Sequence, residues 1–202
     1  MMVKVYGMST SGNCHKVRMV LEALKLPYAW NEVDSRTGAT RTAAFLAMNP
    51  NGKVPVAEVE PGAFLPESNA IMCYLADGSP LLPSDRLKRA RVMQWLFFEQ
   101  YSHEPYIAVA RFLRSQHPDP ASQRALADSR MEGGYRALDV MEKYLAHEPF
   151  FVSGHYTIAD IALYAYTHVA HEGGFDIARF PAVRAWIARV EVQPGYVKMP
   201  DA

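Results

Sequence analysis

Residues 3–33 read VKVYGMSTSGNCHKVRMVLEALKLPYAWNEV, and this stretch carries the first fold assignment. Val3-Lys4-Val5-Tyr6 is short, alternating, and rich in β-branched and aromatic side chains, the pattern of a strand. Gly7 to Asn13 is turn-rich. Helical spacing then begins, with Val17, Val20, Leu21 and Leu24 at i, i+3, i+4 and i+7. Pro27 is expected to end that helix, because proline cannot continue the hydrogen-bond ladder. Tyr28 to Val33 alternates again and reads as a second strand. Strand, helix and strand make a βαβ unit, so the two strands are predicted to be parallel.

The reading extends outward from there. Residues 34–40 form a polar loop. Phe45, Leu46 and Met48 suggest a short helix, stopped by the turn cluster Asn49-Pro50-Asn51-Gly52. Val54 to Val59 reads as a strand, Pro61-Gly62 as a hairpin turn, and Ala63 to Leu65 as its partner. Ser68 is the natural N-cap of a further helix, with Ile71, Tyr74 and Leu75 on its buried face. After Gly78-Ser79-Pro80 only helical patterns follow. One runs from about Leu87 into the Phe112 region and breaks at His117-Pro118-Asp119-Pro120. Others span Ala121 to Leu145, Ile158 to His171, and Ala182 to Val190. The expected organisation is an α/β domain over residues 1–78 with the order βαβαββα, a linker over 79–87, and an all-helical domain over 88–202.

Charge and composition narrow the partners. Residues 1–78 carry 7 Lys+Arg against 7 Asp+Glu, and the whole chain has a net charge of zero. No basic field draws in nucleic acid or anionic lipid. The two cysteines, Cys14 and Cys73, are too few for a disulfide framework and form no CxxC pair. The N-terminus shows no apolar signal core, and no run approaches the ~18–20 apolar residues of a membrane span. A reducing cytoplasm is the expected compartment. No Cys/His/carboxylate cluster has metal-ligand spacing, His168 and His171 included, so no metal is expected.

Five segments carry a resemblance to a known family. They are Tyr6-Gly7 with Ser11-Gly12-Asn13-Cys14-His15-Lys16-Val17-Arg18; Asn49-Pro50-Asn51-Gly52-Lys53-Val54-Pro55-Val56; Glu67-Ser68-Asn69-Ala70-Ile71; Ser153-Gly154 with Thr157-Ile158-Ala159-Asp160-Ile161-Ala162; and Phe180-Pro181-Ala182-Val183-Arg184-Ala185-Trp186. In this order they resemble the cytosolic glutathione transferases, in particular bacterial serine-type, theta- and delta-like members. The resemblance implies a thioredoxin-like glutathione-binding domain followed by an all-helical domain. It implies glutathione as co-substrate, its thiolate attacking a hydrophobic electrophile in a cleft between the domains, and a homodimer.

The resemblance also implies residue roles. In thioredoxin-like folds the proline matching Pro55 is cis, leaving the Val54 backbone to pair with an extended peptide as an added strand. Ser68, at a helix N-terminus, would hold the γ-glutamyl carboxylate, with Glu67 facing the ammonium. Lys53 and Arg41 would pair with the glycyl carboxylate. The thiolate is the nucleophile. A thiol of pKa about 8.5 is mostly protonated at neutral pH, and a hydroxyl aimed at the sulfur favours the charged form. Ser9, Thr10 and Ser11 are all candidates. Ser11 sits where the serine-type classes place their hydroxyl, with Asn13 as helper, and Tyr6 lies one residue from the tyrosine-type position. Cys14 offers another possibility, a mixed disulfide with glutathione as in omega-like relatives, whereas Cys73 reads as a small hydrophobe. Ser9, Tyr101, His103, Tyr106 and Arg111 are the candidates for the acceptor-substrate pocket. Thr157-x-x-Asp160 is a capping box with a folding role. Two alternatives stand beside conjugation: a glutathione-dependent peroxidase or disulfide reductase, and a non-enzymatic binding protein on the same fold.

Overall fold

The computed structural model describes residues 2–117 and 119–200; Pro118, within the expected helix break, lies outside the described residues. The chain divides into two compact units, Met1–Asp77 joined by the tail from Gln193 onward, and Gly78–Val192. The tail therefore goes with the α/β unit, although 88–202 was expected to form one helical domain. In the tail, a side chain on Gly195 would come within 2.6 Å of Ala23, so the chain passes directly over the end of the first helix.

In the first unit the elements are β1 (Val3–Gly7), α1 (Gly12–Ala23), β2 (Tyr28–Glu32), α2 (Ala43–Met48), β3 (Val56–Glu60), β4 (Ala63–Pro66) and α3 (Ser68–Ala76). The strands form one sheet in the order β2-β1-β3-β4. β1 and β2 are parallel, with Val3 opposite Tyr28 and Gly7 opposite Glu32, as the βαβ pattern requires. β3 runs antiparallel to both β1 and β4. Val3, Val5 and Gly7 point to the face covered by α1, whose Val17, Val20 and Leu21 are fully buried. Burial of each such side chain is worth about 1.5–3 kcal/mol. Gly7 permits this close packing: a Cβ there would lie 3.1 Å from both the Cys14 Sγ and the Trp30 ring, which would have to shift by a few tenths of an ångström.

β3 begins at Val56, two residues later than expected, and two helix boundaries of this unit also differ from expectation. α1 ends at Ala23, before Pro27 can act. Lys25 takes a left-handed conformation (φ 52°), its N–H bonds the Glu22 carbonyl, and the Leu26 N–H bonds the Leu21 carbonyl at 2.9 Å. This is a Schellman closure with lysine where glycine is usual. At α3 the N-cap is Glu67, with Ser68 the first helical residue. Glu67 has φ 69°, which turns the chain sharply out of β4 and starts the helix one residue early.

The second unit contains α4 (Arg86–Phe98), α5 (Glu104–Arg111), α6 (Arg124–Leu145), α7 (Ile158–Thr167) and α8 (Pro181–Glu191). α4 and α5 form the expected long helix, but π turns at Glu99–His103 and Phe112–Gln116 interrupt it. Pro105 explains the first. It lacks an N–H for the Tyr101 carbonyl, and its ring crowds that turn, so the ladder widens ahead of it. The predicted Ile158 to His171 helix stops at Thr167, and a 3₁₀ turn covers Ala170–Gly173. Gly133 lets α6 meet α5 closely, because a Cβ there would overlap the Tyr106 ring.

α7 is buried along its whole length and has the predicted capping box. The Thr157 Oγ1 accepts from the Ala159 N–H at 3.2 Å, and Asp160 accepts from the Thr157 N–H at 3.0 Å. Asp160 also accepts from the Phe151 N–H at 3.1 Å and from the Trp186 indole N–H at 3.0 Å. Burial pushes the Asp160 carboxyl up to about 6, against the pull of these donors. Glu142 of α6 caps α8 from outside, taking the Ala182 and Val183 N–H groups at 3.0 and 2.9 Å. No helix among the described residues is long and apolar enough to cross a membrane.

Candidate functional site

Three segments of the first unit meet at one end of the sheet. β1 runs into the loop Gly7–Ser11, β3 is entered through Val54-Pro55, and β4 leads to Glu67-Ser68. The register makes this necessary: Val56 pairs with Tyr6 on one side and with Pro66 on the other. The Val54–Pro55 peptide, cis as expected, therefore lies between the strand ends that carry Gly7 and Glu67.

Ser11 is the N-cap of α1 in extended conformation (φ −82°, ψ 127°), and its carbonyl accepts from the His15 N–H at 2.8 Å. Its hydroxyl makes no cap bond to the backbone of α1; its side-chain contact is with Cys14. The first N–H groups of α1 and α3 have no partner within their helices, and the dipoles add positive potential there. The Ser68 hydroxyl donates to the Asn13 Oδ1 at 3.1 Å, tying the two helix N-termini together. Glu67 holds a backbone conformation that costs an ordinary side chain of order 1–3 kcal/mol, a feature that concentrates at ligand sites.

The turn before β3 is braced by Asn49. Its Nδ2 donates to the Lys53 carbonyl at 2.8 Å, and its Oδ1 accepts from the Asn51 N–H at 3.1 Å. Arg41 lies over this turn, with Nη1 3.4 Å from the Asn51 carbonyl and a Cβ on Gly52 excluded by its guanidinium. The Lys53 and Glu67 side chains are exposed.

Other candidates are placed elsewhere. Ser9 gives both its N–H and its hydroxyl to Glu32, at 2.8 and 3.2 Å. Tyr6 alternates with Gly7, so it faces away from α1, and its ring lies 6.3 Å from that of Phe64. Cys14 is fully buried; burial pushes its thiol up to about 12, with the Ser11 hydroxyl and the Met8 backbone pulling the other way. Full burial holds the Cys14 sulfur out of contact with solvent, unlike the partly exposed position of reactive cysteines.

The four candidates in the helical unit separate into two pairs. Tyr101 and Tyr106 share a groove of about 210 Å³ with Phe98, Gly133 and Val140. His103 and Arg111 do not line this groove. His103 is buried with Nε2 2.9 Å from the Thr167 Oγ1, and Arg111 is buried with Nε 2.8 Å from the Glu172 Oε2. Thr167 gives its own proton to the Leu163 carbonyl, so the His103 Nε2 is the donor. Among the described residues no group of His, Cys, Asp or Glu is placed to hold a metal ion.

Sequence reasoning missed Glu32 and Trp30. Both lie at the end of β2, and the parallel βαβ register, once drawn residue by residue, places Glu32 beside Gly7 and the loop.

The chain matches the family models for the glutathione S-transferase N-terminal domain over residues 10–77 and C-terminal domain over residues 95–194. It is similar to the solved structure of a glutathione S-transferase from Pseudomonas fluorescens, with 56% identity, full coverage of both chains and a TM-score of 0.96. A glutathione transferase from Burkholderia graminis, solved with two glutathione molecules bound per subunit, is 26% identical, with a TM-score of 0.84 over 96% of this chain and 85% of that one. Among curated proteins it is 29% identical to the disulfide-bond oxidoreductase YfcG of Escherichia coli over 90% of this chain and 87% of the relative. The chain belongs to the glutathione S-transferase family.

Proposed function

We propose that this protein binds glutathione at the meeting point of α1, α3 and the cis-proline turn, and transfers its thiolate to a hydrophobic electrophile. The observation that carries the reading is the Ser11 hydroxyl, which stands at the start of α1 without capping it, beside the Ser68–Asn13 bridge. Glutathione would lie extended, its backbone paired with Val54 beside Pro55. Its γ-glutamyl carboxylate would sit at the N–H groups of Ser68 and its neighbours, with Glu67 toward the ammonium. Arg41 and Lys53 would serve the glycyl carboxylate from the turn that Asn49 braces.

The Ser11 hydroxyl donates to the sulfur, and the N-terminus of α1 adds positive potential. Both favour the thiolate, at about 1.4 kcal/mol per unit of pKa lowered. The thiol proton leaves to solvent. The sulfur lone pair then forms a bond to the electrophilic carbon while the leaving group departs with its electrons, giving a thioether. Asn13 acts by holding Ser68. The groove beside Tyr101 and Tyr106 is the apolar surface offered to an acceptor. Homodimerisation belongs to the same reading, supported by exposed Phe64, Tyr74 and Phe97. So does a cytoplasmic location, where glutathione is kept reduced.

A second reading, glutathione-dependent disulfide reduction, draws support from the similarity to the oxidoreductase of Escherichia coli. With Cys14 buried, that chemistry would run through the sulfur of glutathione itself. Calorimetric titration with glutathione and with its disulfide, followed by assays with a chlorinated dinitroaromatic and a hydroperoxide, separates the cases. Conjugation that collapses in Ser11→Ala supports the transferase. Comparable binding of the disulfide, with reductase turnover and no conjugation, supports the second reading. No binding of either at millimolar concentration contradicts both.

A further inference from the structure

Glu32, the last residue of β2, holds three donors on one carboxylate. Its Oε1 accepts from the Ser9 N–H at 2.8 Å and from the Ser9 hydroxyl at 3.2 Å, and its Oε2 accepts from the Trp30 indole N–H at 2.8 Å. The Trp30 ring is in turn fitted against Gly7, where a Cβ would come 3.1 Å from it. Both oxygens are thus fixed, one to the loop and one to a ring seated at the start of that loop.

An ionised carboxylate only accepts hydrogen bonds, so the Ser9 hydroxyl must be the donor. A hydroxyl has one proton, and that of Ser9 is spent on Glu32. Ser11 differs: its N–H closes the turn on the Met8 carbonyl at 3.0 Å, its hydroxyl makes no cap bond to the α1 backbone, and its side-chain partner is the Cys14 thiol, a weaker hydrogen-bonding group than a carboxylate. We propose that Glu32 is a positioning residue that commits Ser9 to anchoring the loop and thereby leaves Ser11 as the hydroxyl that meets the sulfur. The inference rests on the glutathione-binding reading above.

Ser9 and Glu32 then act as one unit. Ser9→Ala and Glu32→Ala should each lower kcat about tenfold, as expected for a misplaced catalytic group. The double variant should also lose about tenfold, since coupled residues are not additive. In both single variants the pH profile of kcat/KM should move to higher pH, because a displaced Ser11 stabilises the thiolate less. Glu32→Gln keeps one acceptor oxygen for Ser9 and should recover most of the loss. In the protein without glutathione, amide exchange at Ser9 should quicken about tenfold or more in Glu32→Ala.

Wild-type turnover and an unshifted profile in Glu32→Ala would overturn the proposal while leaving glutathione binding intact. So would losses that multiply to about a hundredfold in the double variant. A wild type that binds no glutathione would overturn this proposal and the functional reading together.

Discussion

Of the helices whose N-cap is a hydroxyl residue, α1 and α7 use that hydroxyl in opposite ways. At α7, Thr157 caps its own helix and Asp160 reaches back, so every nearby donor is taken and the whole end is buried. At α1, Ser11 has the backbone of a cap, but its hydroxyl bonds no backbone N–H of the helix and meets only the Cys14 side chain. The closed terminus builds the fold. The open one keeps hydrogen-bonding capacity in reserve, which is what a ligand with an anionic sulfur requires. Whether a hydroxyl at a helix start turns inward or outward depends on what lies beyond the helix.

The sharpest break of this contrast is at the closed end. Asp160→Ala would leave the Trp186 indole, Phe151 and Thr157 N–H groups buried without an acceptor. A loss of about 3–5 kcal/mol in urea unfolding is expected. The pH dependence of stability comes next. Burial raises Asp160 from 3.8 to about 6 in the folded chain, so the folded state keeps a proton that the unfolded state has already lost. Its contribution is fully present below the ordinary carboxylate value and is lost as pH rises from about 4 through about 6, up to about 3 kcal/mol. Asp160→Asn should flatten unfolding curves across that window; an unchanged slope would mean the donors keep the group ionised.

At the open end the effects move from stability to activity. Ser11→Ala should change stability by less than about 0.5 kcal/mol, since no cap bond is lost. Conjugation should fall about a hundredfold, the scale of removing one donor from a developing or stabilised anion. Large destabilisation with little loss of turnover would show that Ser11 is a structural cap like Thr157. The smallest effect is expected at Cys14: Cys14→Ala should leave kcat within about threefold of wild type, because its buried thiol takes no part.

Much of this was legible in the chain, and the gaps have physical causes. Strand alternation and helix periodicity located the βαβ unit, the hairpin, the long helix and the capping box, since these depend on neighbours a few residues apart. The Schellman closure at Lys25 was not legible, because lysine seldom adopts positive φ and Pro27 offered a more obvious stop. Glu67 displaced Ser68 as N-cap for the same reason. His103 and Arg111 were assigned to the pocket for their polar tips; their partners, Thr167 and Glu172, are 64 and 61 residues away. Resemblance alone favoured Ser11 over Ser9; the β1–β2 register, which brings Glu32 to the loop, adds a physical difference between the two.

The most direct test is ultraviolet titration of the thiolate of bound glutathione in the wild type and in Ser11→Ala, with binding verified in both by calorimetry. A wild-type pKa at least about one unit below that of a free thiol is expected, moving back toward about 8.5 in the variant. Equal values in the two proteins, with glutathione bound to each, would contradict a thiolate-stabilising role for Ser11.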